Sequence, residues 1–341
     1  MRAAHAISRL LLVALAVAGD AAQASEAPLW SVGATTIRGS GASYVLTTAA
    51  GERRFDLPSG VEVEEIFALR GTAFVSARGA GADRGDLYLA LADELGVHRL
   101  GAPDRSAGRT RENAVPLTSP DGELAGVAWL EGTNRQSYGI RYAGWDGMRW
   151  SEPIALAEAA AGSQLALAGT TLADGSKLLV WSRFDGHDDE IVAARYDDGS
   201  WSAARPIAID NVVPDITPSV VAVPGGALAS WSRYDGHEYR LVISRFDGRE
   251  WSPPAWAGPA GATEPNLSRS SGSSSGPVRT WLTFAHVHPR GWGVLELDSS
   301  GRVLRQGSVA TALGTRPALA ALASGELLLR WASLESAVEL Q

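Results

Sequence analysis

Trp129, Trp181, Trp231, Trp281 and Trp331 each close a short apolar segment, as in Leu178-Leu-Val-Trp181 and Ala227-Leu-Ala-Ser-Trp231, and they are spaced 52, 50, 50 and 50 residues apart. Phe74, 55 residues before Trp129, fits the same slot with a different aromatic ring. A second mark keeps the period. Asp146-Gly-Met-Arg-Trp150-Ser, Asp198-Gly-Ser-Trp201-Ser and Asp247-Gly-Arg-Glu-Trp251-Ser place their tryptophans 51 and 50 residues apart. Two independent marks on one period of this size restrict the chain to a repeat architecture, in which each unit buries its faces against its neighbours.

Within a unit the pattern predicts strands. From Pro218 to Pro253 the order is Ser219 to Val223, a Pro224-Gly225-Gly226 turn, Ala227 to Tyr234, an Asp235-Gly236 turn, Tyr239 to Phe246, an Asp247-Gly248 turn, and Trp251 onward. Short apolar runs separated by Asp-Gly and Pro-Gly turns are the signature of consecutive hairpins. Four antiparallel strands in about fifty residues make one propeller blade. The expected fold class is therefore all-β, a six-bladed β-propeller with four-stranded antiparallel blades. Few residues follow Trp331, so the hairpin of Ser43 to Thr48 and Arg53 to Leu57 is expected to supply the missing outer strands, closing the ring with N- and C-terminal strands in one blade. The Ser-rich stretch from Ser268 to Ser275 reads as a lengthened turn between the first two strands of a blade.

Composition narrows the function. Hydrophobic residues make up 45% and charged residues 20%, enough apolar surface for a sizeable core, and the formal net charge of -8 argues against nucleic acid as a partner. The absence of cysteine removes disulfides, thiolate nucleophiles and Cys-ligated metal sites. Residues 1 to 24 carry Arg2 and Arg9, then the apolar run Leu10 to Ala18, then Ala22-Gln23-Ala24. This is the pattern of a secretory signal peptide cleaved near Ala24, followed by a single domain over 25–341. No later stretch reaches the roughly 20 apolar residues of a membrane helix. The expectation is a monomer, periplasmic or secreted.

The Asp-Gly-x-x-Trp turns resemble the Asp-box of sialidase-like propellers and the corresponding turn of small fucose-binding propeller lectins. Both resemblances imply a propeller fold, and in the Asp-box family they imply a structural turn away from the catalytic face. Sialidases also carry an F/Y-R-I-P element, three carboxylate-binding arginines and a Tyr/Glu pair. The closest string here, Arg54-Phe55-Asp56-Leu57-Pro58, puts Asp where the arginine belongs. The acidic ligand that the fucose lectins place shortly before the turn is replaced by residues such as Ile243 and Ser244.

A more specific repeat lies between the second and third strands. Trp181-Ser-Arg183-Phe-Asp185-Gly-His187 and Trp231-Ser-Arg233-Tyr-Asp235-Gly-His237 are nearly identical strings 50 residues apart, and His286-Val-His288 falls in the next equivalent loop. Propeller topology puts these loops opposite the Asp-Gly-x-x-Trp turns. Two readings stand: plain Asp-Gly turns with solvated histidines, or a ligand-binding rim of Arg183, Asp185, His187, Arg233, Asp235, His237, His286 and His288. Equivalent histidines of neighbouring blades should stand about 10 Å apart, given strands spaced about 4.8 Å, whereas a zinc ion needs nitrogens at about 2.0–2.1 Å. No metal and no cofactor is expected. Asp188-Asp189 and Glu64-Glu65 are adjacent acids on strands, so their side chains point to opposite faces and do not form a pair. No phosphate loop, G-x-S-x-G elbow or H-E-x-x-H is present. The expected function is an exported binding or interaction module for a carbohydrate or partner protein, with a sialidase-like or other glycoside-processing enzyme and a structural envelope protein as alternatives.

Overall fold

The computed structural model describes residues 29–341 except 33–34, 41–42, 49–50, 70–71, 80–86, 94, 105–107, 134–136, 159–161, 210, 272–277, 312–315, 322–326 and 332–334. The signal-peptide reading of residues 1 to 24 lies outside the described residues. So does the tip of the Ser-rich turn, whose first residues continue a strand. Among the described residues every regular element is a strand, and no helix is long and apolar enough to cross a membrane.

Among the described residues the strands form six sheets of four or five strands and a seventh of three, numbered here as blades in chain order. Blade 1 holds β1 (Leu29–Val32), β2 (Thr35–Ser40), β3 (Ser43–Thr48) and β4 (Gly51–Asp56). Blade 2 holds β5 (Glu62–Leu69), β6 (Thr72–Arg78), β7 (Leu87–Ala92) and β8 (Val97–Arg99). Blade 3 holds β9 (Thr110–Thr118), β10 (Leu124–Gly132), β11 (Tyr138–Gly144) and β12 (Ile154–Ala157). Blade 4 holds β13 (Ser163–Thr171), β14 (Lys177–Phe184), β15 (Asp189–Asp197) and β16 (Ser200–Trp201), with β17 (Arg205–Pro206) also paired to β15. Blade 5 holds β18 (Asp215–Val223), β19 (Gly226–Tyr234), β20 (Tyr239–Phe246) and β21 (Ala255–Ala260). Blade 6 holds β22 (Ala262–Ser271), β23 (Val278–His286), β24 (Gly291–Leu297) and β25 (Val303–Ala310), and blade 7 holds β26 (Ala318–Ala321), β27 (Leu327–Arg330) and β28 (Glu335–Val338). The first strands β1, β5, β9, β13, β18 and β22 lie side by side in succession, and β26 lies against β1.

The expected four-stranded blades are present, and the shared terminal blade is not. The hairpin β3–β4 forms as read, but its inner neighbour is β2, so it completes blade 1 and adds nothing to blade 7. The reason lies in residues 29–40, which pair as β1 and β2 and give the N-terminal hairpin inner strands of its own. The C-terminus instead ties blade 7 to blade 6, because Gln306 and Gln341 exchange backbone hydrogen bonds of 3.1 and 2.8 Å.

The core is a set of seams. Each hydrophobic cluster joins two neighbouring sheets, as where Val115, Ala128 and Ile140 of blade 3 meet Leu179, Trp181 and Val192 of blade 4. Trp129, Trp181, Trp231 and Trp281 are all fully buried, and Phe74 fills the same slot in blade 2. A sheet whose two faces are both covered by neighbours needs no separate core, which is why the repeated aromatic sits in the middle of the second strand. In blade 5 the fourth strand starts at Ala255, because Pro253 and Pro254 cannot donate to a ladder, and Trp251 makes only an isolated bridge to Phe246. The tight β18–β19 turn requires Gly226 at φ 153°, where an added Cβ would run into the Phe246 carbonyl.

A device not visible as a motif joins the inner strands. β9, β13, β18 and β22 each carry a non-glycine residue in the left-handed region: Asn113 (φ 52°), Ala166 (48°), Thr217 (52°) and Glu264 (53°). Each sits at a register shift of its pairing with the second strand, which is a β-bulge. A bulge frees backbone N–H groups from the ladder, and the preceding blade captures several of them. The Asn113 N–H donates to Glu64 Oε2 (3.0 Å), the Leu167 N–H to Asn113 Oδ1 (2.7 Å) and the Glu264 N–H to Ser232 Oγ (3.1 Å). Neighbouring blades are thereby held in fixed register.

Candidate ligand-binding face

The loops after the second strands of blades 4 and 5 share one construction. Asp185 Oδ1 accepts the backbone N–H groups of His187 (2.9 Å) and Asp188 (3.4 Å), and Asp235 Oδ1 accepts those of His237 (2.9 Å) and Glu238 (3.0 Å). These hydrogen bonds hold both carboxyls below the usual carboxylate range. Gly186 (φ 104°) and Gly236 (φ 100°) supply the left-handed step between them. Each aspartate is thus committed to its turn, and each following histidine faces solvent; the His187 side chain is 92% exposed.

The two arginines of the repeated strings occupy the same register and meet different fates. Arg233 lies opposite Asp215, is 7% exposed, and makes a two-pronged ion pair with it at 2.8 and 2.7 Å. Arg183 lies opposite Gln164. That amide is spent on accepting the Trp181 indole N–H (2.6 Å) and donating to the Gly162 carbonyl (2.6 Å), so Arg183 has no carboxylate partner among the described residues. Arg233 is therefore a buried strut under the face, whereas Arg183 stands opposite Glu190 on the third strand and its charge acts on Asp185. His286 ends β23 half-buried, its ring 4.9 Å from Phe284 and its Nδ1 buried without a partner, and burial lowers its pKa. It opens on a cavity of about 570 Å³ lined also by Pro259, Gln306 and Glu339. His288 sits exposed in the turn after β23. The structure brings together Asp185 with His187 and Asp235 with His237, while His286 faces a separate cavity lined from blades 5, 6 and 7.

Sequence reasoning missed the acidic seam beneath these loops. Asp189, 3% exposed, is pushed up to about 6 by burial and by the neighbouring Asp188 charge, against a hydrogen bond from Ser182. Burial also raises Asp188 and Asp215, the latter opposed by Arg233. Tyr239 is pushed up to about 12 by burial and then by the charge of Asp189. The signal was present in Asp188-Asp189, but only the fold brings blade 5 against it. Among the described residues no three His, Asp or Glu side chains are grouped to hold a metal ion.

At the opposite end of the strands the Asp-Gly-x-x-Trp turns are structural. Asp146 Oδ1 accepts the N–H groups of Met148 and Arg149 (2.8 and 2.7 Å), and Asp247 Oδ1 those of Arg249 and Glu250 (2.8 and 2.9 Å). The serine after each tryptophan also has a role: the hydroxyls of Ser151, Ser202 and Ser252 accept the N–H groups of Gly144, Arg195 and Arg245 at 2.9, 3.0 and 2.9 Å. Ser252→Ala should therefore cost about 1 kcal/mol in urea-unfolding measurements. No loss would mean that water replaces the hydroxyl.

No family model matches the chain, and no curated protein matches it in sequence. Solved structures do match. The BP39L lectin from Burkholderia pseudomallei aligns at a TM-score of 0.60 and 15% identity, over 90% of this chain and 93% of that one. A protein of unknown function from Dyadobacter fermentans aligns at 0.53 and 14%, over 82% and 95%. The GH93 α-L-arabinofuranosidase of Fusarium graminearum, solved with arabinobiose, aligns at 0.50 and 11%, over 83% and 94%. At such identities the likeness is one of fold. Sheet pairing, blade seams and these neighbours agree that the chain is a β-propeller.

Proposed function

We propose that this chain is an exported, non-catalytic carbohydrate-binding propeller whose ligand sits on the face formed by the loops between second and third strands. The observation that carries the reading is the repeated turn in blades 4 and 5. A chain that only had to reverse direction needs Asp and Gly; the same turn twice presents His187 and His237 to solvent, with the Arg183 charge close to the first. Imidazole and guanidinium donors suit hydroxyl recognition. The fold likeness to the BP39L lectin supports a sugar as ligand, and the leader in residues 1 to 24 supports export.

The test is a glycan array followed by calorimetry on the chain from Ser25. Saturable binding without turnover is expected, and His187→Ala with His237→Ala should weaken it about tenfold, the loss of one or two hydrogen bonds, with little change in melting. Turnover of chromogenic glycosides would favour the second reading, a glycoside-processing enzyme, to which Asp189 gives some support because a carboxyl held near 6 suits a general acid. Silence on the array and on the glycosides would contradict both and leave a protein partner, recovered by pull-down, as the ligand.

A further inference from the structure

Lys177 is the only lysine in the chain, and its place is unusual. It stands four residues before Trp181, where Ala125, Ala227 and Leu327 stand before Trp129, Trp231 and Trp331. Arg70 stands four residues before Phe74, so blade 4 is one of two units with a cation at this spacing, and it carries the ammonium. That ammonium lies 4.9 Å over the Tyr196 ring, half-buried, and burial lowers its pKa. Among the described residues no carboxylate comes within ion-pair distance of it. Desolvating a cation without an anion is unfavourable, so packing alone does not account for this residue.

Lys177 lines a cavity of about 470 Å³ at the seam of blades 3 and 4. Its walls are aromatic. Tyr142, Trp145 and Trp150 come from blade 3 and Tyr196 from blade 4, with Trp145 and Trp150 4.6 Å apart and inclined at 52°. The Trp150 indole N–H is already spent on the Leu100 and Gly101 carbonyls (3.2 Å each), so that ring is anchored. Asp146 at the rim keeps its negative charge while its Oδ1 is taken by its own turn, and Lys177 and Arg149 outnumber it as the charged groups facing a guest. The volume falls in the range of small-ligand sites.

We infer that this cavity is a second binding site, specific for an acidic sugar of the uronate class, whose C–H face packs on the tryptophan and tyrosine rings while Lys177 takes the carboxylate. Rings of this kind offer rigid apolar faces to a pyranose, and a charge-assisted hydrogen bond to a carboxylate is among the stronger single contacts available. The site is separate from the loop face. Lys177 begins β14 and Phe184 ends it just before the Asp185 turn, seven steps of about 3.3 Å, or roughly 23 Å.

Calorimetry with trigalacturonate and with neutral galactotriose tests the inference. Trigalacturonate should bind saturably, with a dissociation constant below about 1 mM, and galactotriose at least about tenfold more weakly. Lys177→Met should lose about 10- to 100-fold in affinity for trigalacturonate, the range of one charged hydrogen bond, and Lys177→Arg should keep most of it. Both variants should melt close to the parent protein. The pair His187→Ala with His237→Ala should leave trigalacturonate binding unchanged, so failure at the loop face and failure here give different patterns. Absence of saturable trigalacturonate binding, equal affinity for the neutral trisaccharide, or equal affinity in Lys177→Met would overturn the inference.

Discussion

Replacing Arg233 with alanine should destabilise the protein by about 3–5 kcal/mol in chemical unfolding, the cost of removing one partner from a buried ion pair. Arg233 is 7% exposed and Asp215 2%, and the two are joined by hydrogen bonds of 2.8 and 2.7 Å. Without the guanidinium, Asp215 would keep the neutral donors of the Asn211 amide (3.3 Å) and the Trp231 indole, in a seam that already holds Asp189 and Asp188. Its carboxyl would then have to ionise in a poorly solvated site or take up a proton. Arg183→Ala, at the same register in blade 4, should change stability by less than about 1 kcal/mol because it breaks no ion pair. Arg233→Met with Asp215→Leu should recover much of the loss, since an apolar pair of similar size leaves no charge unmatched. A near-zero effect of Arg233→Ala would mean that solvent reaches the Asp215 carboxylate.

Asp189→Asn should instead stabilise the protein at neutral pH, by up to about 3 kcal/mol for a shift of about two units. The folded chain holds this carboxyl protonated to about pH 6, whereas the ordinary value is 3.8. Between those values the folded state binds more protons than the unfolded state, so stability falls as pH rises. The contribution is fully present below about 3.8 and lost above about 6. Asp185, Asp188, Ser182, Asp215 and Tyr239 are the groups around it, and Asp188 and Asp215 are raised in the same direction. Asp189→Asn should therefore flatten the decline in melting temperature between pH 4 and 6 without abolishing it. A pH dependence of melting identical in Asp189→Asn and the parent protein would contradict the assignment.

The period and the blade were legible because each depends on local chemistry. Asp-Gly and Pro-Gly turns break the chain at many strand ends, and the second-strand tryptophan marks a recurring position where a large ring fits between two sheets. Ring closure was less legible. Leu29 to Ser40 has no Asp-Gly turn and carries its tryptophan, Trp30, on the first strand instead of the second, yet it pairs as β1 and β2 and gives β3 and β4 a blade of their own. The site was half legible for a related reason. Arg183 and Arg233 stand in matching strings, and what separates them is Gln164 against Asp215, across the sheet in first strands whose sequences show no shared motif. The acidic seam depends in the same way on contact between blades.

Recognition of a sugar by the paired Asp-Gly-His turns can be followed directly. The chain has six histidines, few enough for their imidazole carbon-bound protons to be followed singly by NMR. During titration with the tightest glycan from the array, the His187 and His237 resonances should move together and saturate at one concentration, while His98 in blade 2 stays fixed. Saturation of the glycan with both resonances unmoved would place recognition elsewhere on the propeller.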